Sequence, residues 1–276
     1  MTHSHPFATL SVLLGVCIAA QASLANSASH GAETRIERYR DALVRELPPQ
    51  AQRAMARIDD APRQWLALRA YVRAGERLVE RWSWTDEQIA AFEQTPHHDA
   101  FLAEVRRVQS RFESKNPGYT LYANTQVRSL DTQLERWNEN SSVRRVSDAV
   151  HLAVRRELLE SDYPKVPTEA HVERLARFLR HWRPPSAAAL AAPGLSAHGQ
   201  LRAIDFAVYK DGKVVAPTTL TAADAVWKRD GWAAKLKQAT LGTRFVGPLE
   251  SPDEPWHYEY SVRTRMAGEP HEAKKQ

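Results

Sequence analysis

The sequence predicts an α+β fold in which a small antiparallel sheet is surrounded by helices and preceded by a helical N-terminal region. From about residue 33 to residue 115, apolar residues repeat at steps of three and four, the period of an amphipathic helix. Two short stretches in the last third of the chain alternate with a period of two, as half-buried strands do. Strands grouped apart from the helices are typical of α+β domains.

The first helices are bounded by recognisable signals. An apolar stripe at helical spacing marks the opening helix, formed by Ile36, Tyr39, Leu43 and Leu47. Pro48-Pro49 ends this helix, because proline lacks the backbone donor and clashes with the preceding turn. Thr85 and Gln88 have the spacing of a capping box and predict a further helix start.

After a turn signal at Pro117-Gly118, the composition of residues 120–127 favours a strand. Three more helices are predicted over 128–139, over 143–161, and from Thr168 through about residue 182. The Pro/Ala-rich stretch 184–194 is either a linker or a loop within one domain.

Two strands follow the Pro/Ala-rich stretch. In the first, Ile204, Phe206 and Val208 alternate with Ala203, Asp205 and Ala207. Asp211-Gly212 then supplies the residues of a tight hairpin turn. Residues 227–239 predict a helix that contains a glycine, and residues 253–261 predict the second strand, with Trp256, Tyr258 and Tyr260 on one face.

Composition limits the classes of partner. The 276 residues contain 43% hydrophobic and 26% charged residues, which is normal for a globular protein. The net charge of +5 suits an anionic partner. Because no basic run is interleaved with aromatic residues, no nucleic-acid partner is predicted.

The apolar run over residues 7–22 has the length of a signal-peptide core and is followed by small residues. We therefore expect residues 1–25 to be a signal peptide and the mature protein to be periplasmic or secreted. The run is too short for a membrane span, so none is expected in the mature chain. Cleavage would remove Cys17, the only cysteine, and a metal site would then depend on histidines and carboxylates.

Three residues around the two strands form a candidate metal site. His198 precedes the first strand, Asp205 interrupts its apolar pattern, and His257 opens the second strand. A catalytic zinc takes three protein ligands and leaves one position open for water, although iron can use the same ligands. The competing interpretation treats Asp205 as a strand-end charge that reaches solvent, and Glu254 and His257 as ordinary solvated residues.

These residues resemble a known family. SAHGQLRAID (residues 196–205) is similar to the S-x-H-x-x-G-x-A-x-D stretch of the LAS-type zinc peptidases, which include D-alanyl-D-alanine carboxypeptidases and peptidoglycan endopeptidases. EPWH (254–257) resembles their E-x-x-H element, and RSLDTQ (128–133) resembles their R-S-x-x-x-Q motif. One departure is Leu201, which stands where the pattern has glycine, while Gly199 lies two places earlier.

The resemblance implies a LAS/hedgehog-like peptidase domain over residues 115–262, after a helical region over 26–114 and before a polar tail over 263–276. It implies Zn²⁺ held by His198, Asp205 and His257, with Glu254 as general base. Arg128 would stabilise the oxyanion or hold a substrate carboxylate. The remaining motif residues, which would contact substrate or support the site, are Ser129, Gln133 and Ser196.

The implied function is an exported D,D-carboxypeptidase that acts on peptidoglycan stem peptides. Two alternatives stay open: a peptidoglycan endopeptidase that cuts cross-links, and a non-catalytic, zinc-containing wall-binding protein. A serine hydrolase built on Ser196 and His198 is disfavoured because the sequence has no G-x-S-x-G element. The basic helical region would pack on the catalytic domain or contact anionic envelope polymers.

Overall fold

The structure is a computed structural model that describes residues 32–250 and 253–261. The predicted signal peptide (1–25) and polar tail (263–276) lie outside the described residues. The helices are α1 (32–45), α2 (Pro49–Met55), α3 (Ala61–Ala74), α4 (Asp86–Glu93), α5 (Pro96–Lys115), α6 (Leu130–Glu139), α7 (Ser141–Glu160), α8 (Glu169–His181), α9 (Leu220–Ala222) and α10 (Trp232–Thr240). The strands are β1 (Tyr119–Ala123), β2 (Ala203–Lys210), β3 (Lys213–Ala216), β4 (Phe245–Val246) and β5 (His257–Tyr260).

The strands form one antiparallel sheet around β2, and the predicted α+β class is confirmed. The sheet order is β1-β2-β5-β4, and β3 also pairs with β2. The hairpin between β2 and β3 closes directly after the pair Lys210 and Lys213. Asp211 and Gly212 between them have φ angles of 49° and 73°, the positive values that a two-residue type I′ turn requires.

Strand β2 is covered on both faces. Ile204, Phe206 and Val208 are fully buried, as their alternation predicts, and the alanines of the opposite face are buried as well. Asp205 is the acidic residue of this strand. A carboxylate in such a strand needs partners, because burying an unpaired charge is costly.

The apolar core consists of two clusters. The first joins α1, α2 and α3 to α6, α7 and α8, and it includes Trp65, Trp137 and Val150. The second joins the sheet to α5 and α10, and it includes Phe112 and Phe206. Within the described residues, no helix is long and apolar enough to cross a lipid bilayer.

The capping box at Thr85 and Gln88 is confirmed, since both of its hydrogen bonds are present at the start of α4. The single helix predicted over 227–239 is wrong. A helical turn ends at Lys228, and α10 begins at Trp232. Gly231 between them has a φ of 74°, and this left-handed conformation interrupts a right-handed helix.

Hydrophobic contacts cross the predicted domain division at residue 115. Helix α5 packs on β1 and the sheet, and α3 packs on α7. Each apolar cluster therefore contains residues from both sides of the division.

A fragment that begins at residue 115 should therefore fail to fold. Removal of α1–α5 would expose Val150 and Val154 on α7 and the side chain of Leu121, all buried in the intact chain. Circular dichroism should show no cooperative thermal transition for the fragment, whereas the chain from residue 26 should show one. A cooperative transition in the shorter fragment would mean that the helical region is a separate module.

Candidate metal centre

The β2–β5 pairing brings Asp205 and His257 together. These two residues are direct partners in the antiparallel register, and directly opposite residues project from the same face of a sheet. His198 lies on the 3₁₀ turn Ala197–Gln200, which leads into β2. Three residues distant in sequence thus meet at one end of the central strand.

The ligand atoms of the three side chains converge. Nε2 of His198 lies 3.2 Å from Nδ1 of His257. The two carboxylate oxygens of Asp205 lie 3.0 Å from His257 Nδ1 and 3.4 Å from His198 Nε2. A tetrahedral zinc site with bonds of 2.0–2.1 Å places its ligand atoms roughly 3.3 Å apart. The observed separations match that spacing, and the group could bind a metal ion.

The three contacts among these side chains cannot all be two-centre hydrogen bonds at once. Nδ1 of His257 is close to both His198 Nε2 and Asp205 Oδ1, yet a ring nitrogen carries at most one proton. The three groups are also lone-pair donors in their neutral or anionic forms. A shared cation would satisfy all of them at once, as buried carboxylates require.

Burial and neighbouring charges favour the protonation states in which His198 and Asp205 can bind a metal ion. Burial lowers the pKa of His198 to about 3, although the Asp205 carboxylate opposes this. Burial alone would raise the pKa of Asp205, but the hydrogen bond with His257 and the positive charge of Arg128 hold it below its usual value. At neutral pH, His198 is therefore an uncharged imidazole and Asp205 an anion.

The structure does not support the interpretation of Asp205 as a solvated strand-end charge. Its side chain is 19% exposed and contacts the guanidinium of Arg128, with Nη2 of Arg128 3.4 Å from Oδ2. The backbone N–H of Arg128 also donates to the carbonyl of His198 at 3.1 Å. Arg128 thus touches one proposed ligand through its side chain and another through its backbone, and such outer contacts orient metal ligands.

Glu254 lies beside the three ligand atoms rather than among them. Its Oε2 is 3.7 Å from Nδ1 of His257, and its backbone N–H donates to the carbonyl of Leu249 at 3.0 Å. Burial raises the pKa of Glu254, the charge of His257 lowers it, and the neighbouring Asp205 carboxylate raises it further. A carboxylate in this position could exchange protons with a group bound at the metal site.

The remaining motif residues have positions that the sequence could not specify. Ser129 caps α6, since its hydroxyl accepts from the backbone N–H of Thr132. Gln133 is buried and donates to Ser83 Oγ and to the carbonyl of Arg128, while its Oε1 accepts from Gly194. What the structure shows for Gln133 is thus a positioning role, and its predicted substrate contact stays a prediction.

Ser196 is buried immediately before the 3₁₀ turn that carries His198. Its carbonyl accepts from the backbone N–H of Gly199 at 2.9 Å. This bond closes the turn around His198 and agrees with a supporting role. Contact between Ser196 and a substrate stays a prediction.

Leu201, the departure from the resembled pattern, adopts the left-handed backbone conformation that favours glycine. Leu201 has φ 49° and ψ 28°, a region that costs a non-glycine residue roughly 1–2 kcal/mol. Its side chain is buried in the second apolar cluster, and burial of a leucine contributes about 1.5–3 kcal/mol. The loop therefore keeps a glycine-like backbone with leucine in place.

A segment of the N-terminal region supports the loop that carries His198. The sequence did not reveal this contact. The backbone N–H groups of Ser83 and Trp84 donate to the carbonyls of Gly194 and Gly199 at 2.8 and 2.9 Å. The amide of Gln200 donates to the carbonyl of Trp82 at 2.8 Å. The segment 82–84 thus fixes the loop that carries His198.

A small cavity of about 160 Å³ adjoins His198. Its lining residues are Asn124, Gln126, Val127, Arg128, Thr132, Arg136 and His198. Sequence analysis missed Arg136. The four-residue step from Thr132 to Arg136 places both on one side of α6, but neither was a candidate site residue, so no signal in the sequence indicated Arg136.

Comparison with models of protein families, with curated proteins and with solved structures found no match to this chain.

Gly199→Ala should disturb the site through Ser83. A Cβ at residue 199 would lie 2.0 Å from Ser83 Oγ and 2.6 Å from Ser83 Cβ. We expect this overpacking to lower the free energy of unfolding by about 1–3 kcal/mol and to weaken metal binding. Adding Ser83→Gly should restore part of both losses, as measured by a double-mutant cycle in thermal unfolding and metal titration. Purely additive effects would contradict direct contact.

Proposed function

We propose that the protein is an exported zinc metallopeptidase that hydrolyses D-alanyl-D-alanine-type bonds in peptidoglycan stem peptides. The observation that carries the proposal is the meeting of His198, Asp205 and His257, with Glu254 3.7 Å from His257. Two imidazoles and one carboxylate are a ligand set of catalytic zinc sites. The resemblance of three sequence elements to the LAS-type peptidases adds the fold family and the substrate class.

Zinc bound by these ligands would lower the pKa of a coordinated water toward neutrality and polarise the peptide carbonyl. His198, with its pKa lowered by burial, stays uncharged and available as a ligand at neutral pH. Asp205 stays anionic because His257 and Arg128 contact it. The chain thus presents its ligands in the protonation states that metal binding needs.

Glu254 is proposed as the general base and acid. Its carboxylate lies next to His257 without belonging to the converging triad. It would take a proton from the attacking water and return it to the departing amine. Its raised pKa favours the first of these transfers, since a more basic carboxylate accepts a proton more readily and holds it until the amine departs.

Arg128 is proposed to stabilise negative charge in the transition state. Its side chain is 20% exposed and bonds the Asp205 carboxylate through one nitrogen. A guanidinium has further N–H donors, and fixed donors aimed at developing charge contribute much of the catalytic effect. Arg128 could therefore support a ligand and an oxyanion at the same time.

Two other functions remain as alternatives. A peptidoglycan endopeptidase would use the same centre on cross-linked chains. A non-catalytic, zinc-containing wall-binding protein would need the ligands but not the carboxylate of Glu254. The partly buried position of Glu254 beside His257 favours catalysis over binding alone.

Glu254→Gln should abolish turnover while leaving metal bound. The amide has nearly the shape of the carboxylate but cannot accept a proton, so we expect a loss of about 10²–10⁴-fold in kcat. Mass spectrometry of a D-alanyl-D-alanine pentapeptide would measure product, and elemental analysis would measure zinc. Glu139→Gln, on the exposed end of α6, is the matched control. Unchanged turnover in Glu254→Gln would contradict the assignment of Glu254 as the general base and acid.

His257→Ala should remove the metal. Loss of one of three ligands leaves too few donors for a tetrahedral site, so the zinc content should fall from about one per chain toward zero. His181→Ala, on the exposed end of α8, should keep its zinc. Elemental analysis also separates zinc from iron, and full retention of metal by His257→Ala would contradict the proposed ligand set.

A further inference from the structure

We infer that the 160 Å³ cavity beside His198 binds the free carboxylate at the C-terminal end of the substrate, and that Arg136 is the specificity-determining residue of this pocket. The inference rests on the proposed function and deepens it. A pocket for a terminal carboxylate assigns the chain to cleavage of the last residue rather than of cross-links.

The lining of the cavity is suited to an anion. Two guanidinium groups, two side-chain amides and one hydroxyl line it, and no carboxylate does. Asn124 uses its oxygen to accept from the backbone N–H of Gln126 at 3.1 Å, so its NH₂ group remains available as a donor. The two guanidinium groups combine positive charge with donors only, and such groups bind carboxylates well.

The two arginines are differently engaged. Arg128 is committed to Asp205 through Nη2. Arg136 is exposed, and none of the described residues forms an ion pair with it. Both arginines line the cavity together with His198, so their charges lie near a proposed metal ligand. Arg136 is therefore the positively charged residue of this pocket that is available to bind an anionic ligand.

The size of the cavity selects a small group. Its volume of about 160 Å³ corresponds to roughly five water molecules. That is room for a carboxylate with a methyl-bearing carbon, but it is small beside the ~300–1,000 Å³ of ordinary ligand pockets. A single terminal alanine matches this volume, and a longer segment of chain exceeds it.

Arg136 and Arg128 would therefore contact different parts of the substrate. Arg136 would hold the carboxylate of the terminal residue in the cavity that His198 also lines. Arg128, which already contacts Asp205, would face the carbonyl under attack. Binding energy from the terminal carboxylate would then orient the scissile bond.

The test compares two substrates in the full-length mature protein loaded with zinc. One is a peptide that ends in D-alanyl-D-alanine with a free carboxyl group, and the other is the same peptide with a C-terminal amide. Wild type should prefer the free acid by about tenfold or more in kcat/KM, as expected for a charge-assisted hydrogen bond. Arg136→Gln should lose this preference, mainly through KM for the acid, with the amide unaffected.

Arg156→Gln, an exposed arginine of α7, is the matched control and should keep the preference. A free-acid preference that survives in Arg136→Gln would overturn the inference and leave the proposed function standing. Equal cleavage of acid and amide by wild type would overturn it as well.

If wild type cleaves neither peptide, the result counts against the proposed function. A binding measurement then tests whether the pocket binds a carboxylate. N-acetyl-D-alanine is titrated into zinc-loaded wild type and Arg136→Gln by calorimetry. Binding that weakens about tenfold in the variant supports a carboxylate pocket that depends on Arg136. Equal binding to both proteins, or no binding to wild type, overturns it.

Discussion

The site depends on the register of one strand pair. Because Asp205 and His257 are direct partners across β2 and β5, their side chains share a face of the sheet. A slip of one residue would turn His257 to the other face, where Trp256 and Tyr258 are buried in the core. The apolar burial of these neighbours therefore fixes the register, and the register brings a carboxylate and an imidazole to 3.0 Å.

Around this pair, segments that are distant in the sequence hold His198, the third proposed ligand. The His198 loop is bonded by Ser83 and Trp84 from the N-terminal region and by the backbone of Arg128. Gln133 connects these supports, since it donates to Ser83 and to Arg128 and accepts from Gly194. The helical region is thus part of the scaffold of the site. The two apolar clusters of the core likewise include residues from both sides of residue 115.

Much of this arrangement was predictable from local sequence. The alternation around Asp205, the Asp211-Gly212 turn and the capping box at Thr85 each depend on neighbouring residues, and the structure confirms them. The meeting of His198, Asp205 and His257 was predicted from their positions at the two strands and from the chemistry of zinc ligands, and the motif resemblance supported it. Long-range contacts have no such local signal. Nothing beside Ser83 indicates that it lies against Gly199, and the break at Gly231 depends on a backbone conformation that helical patterning does not show.

X-ray absorption at the zinc edge tests directly whether His198, Asp205 and His257 hold one zinc ion. The purified mature protein is compared with the Asp205→Asn variant. We expect a first shell of two imidazole nitrogens and carboxylate or water oxygens at about 2.0–2.2 Å, and this shell should weaken or disappear in the variant. A spectrum without histidine ligands, or one unchanged by Asp205→Asn, would contradict this ligand assignment.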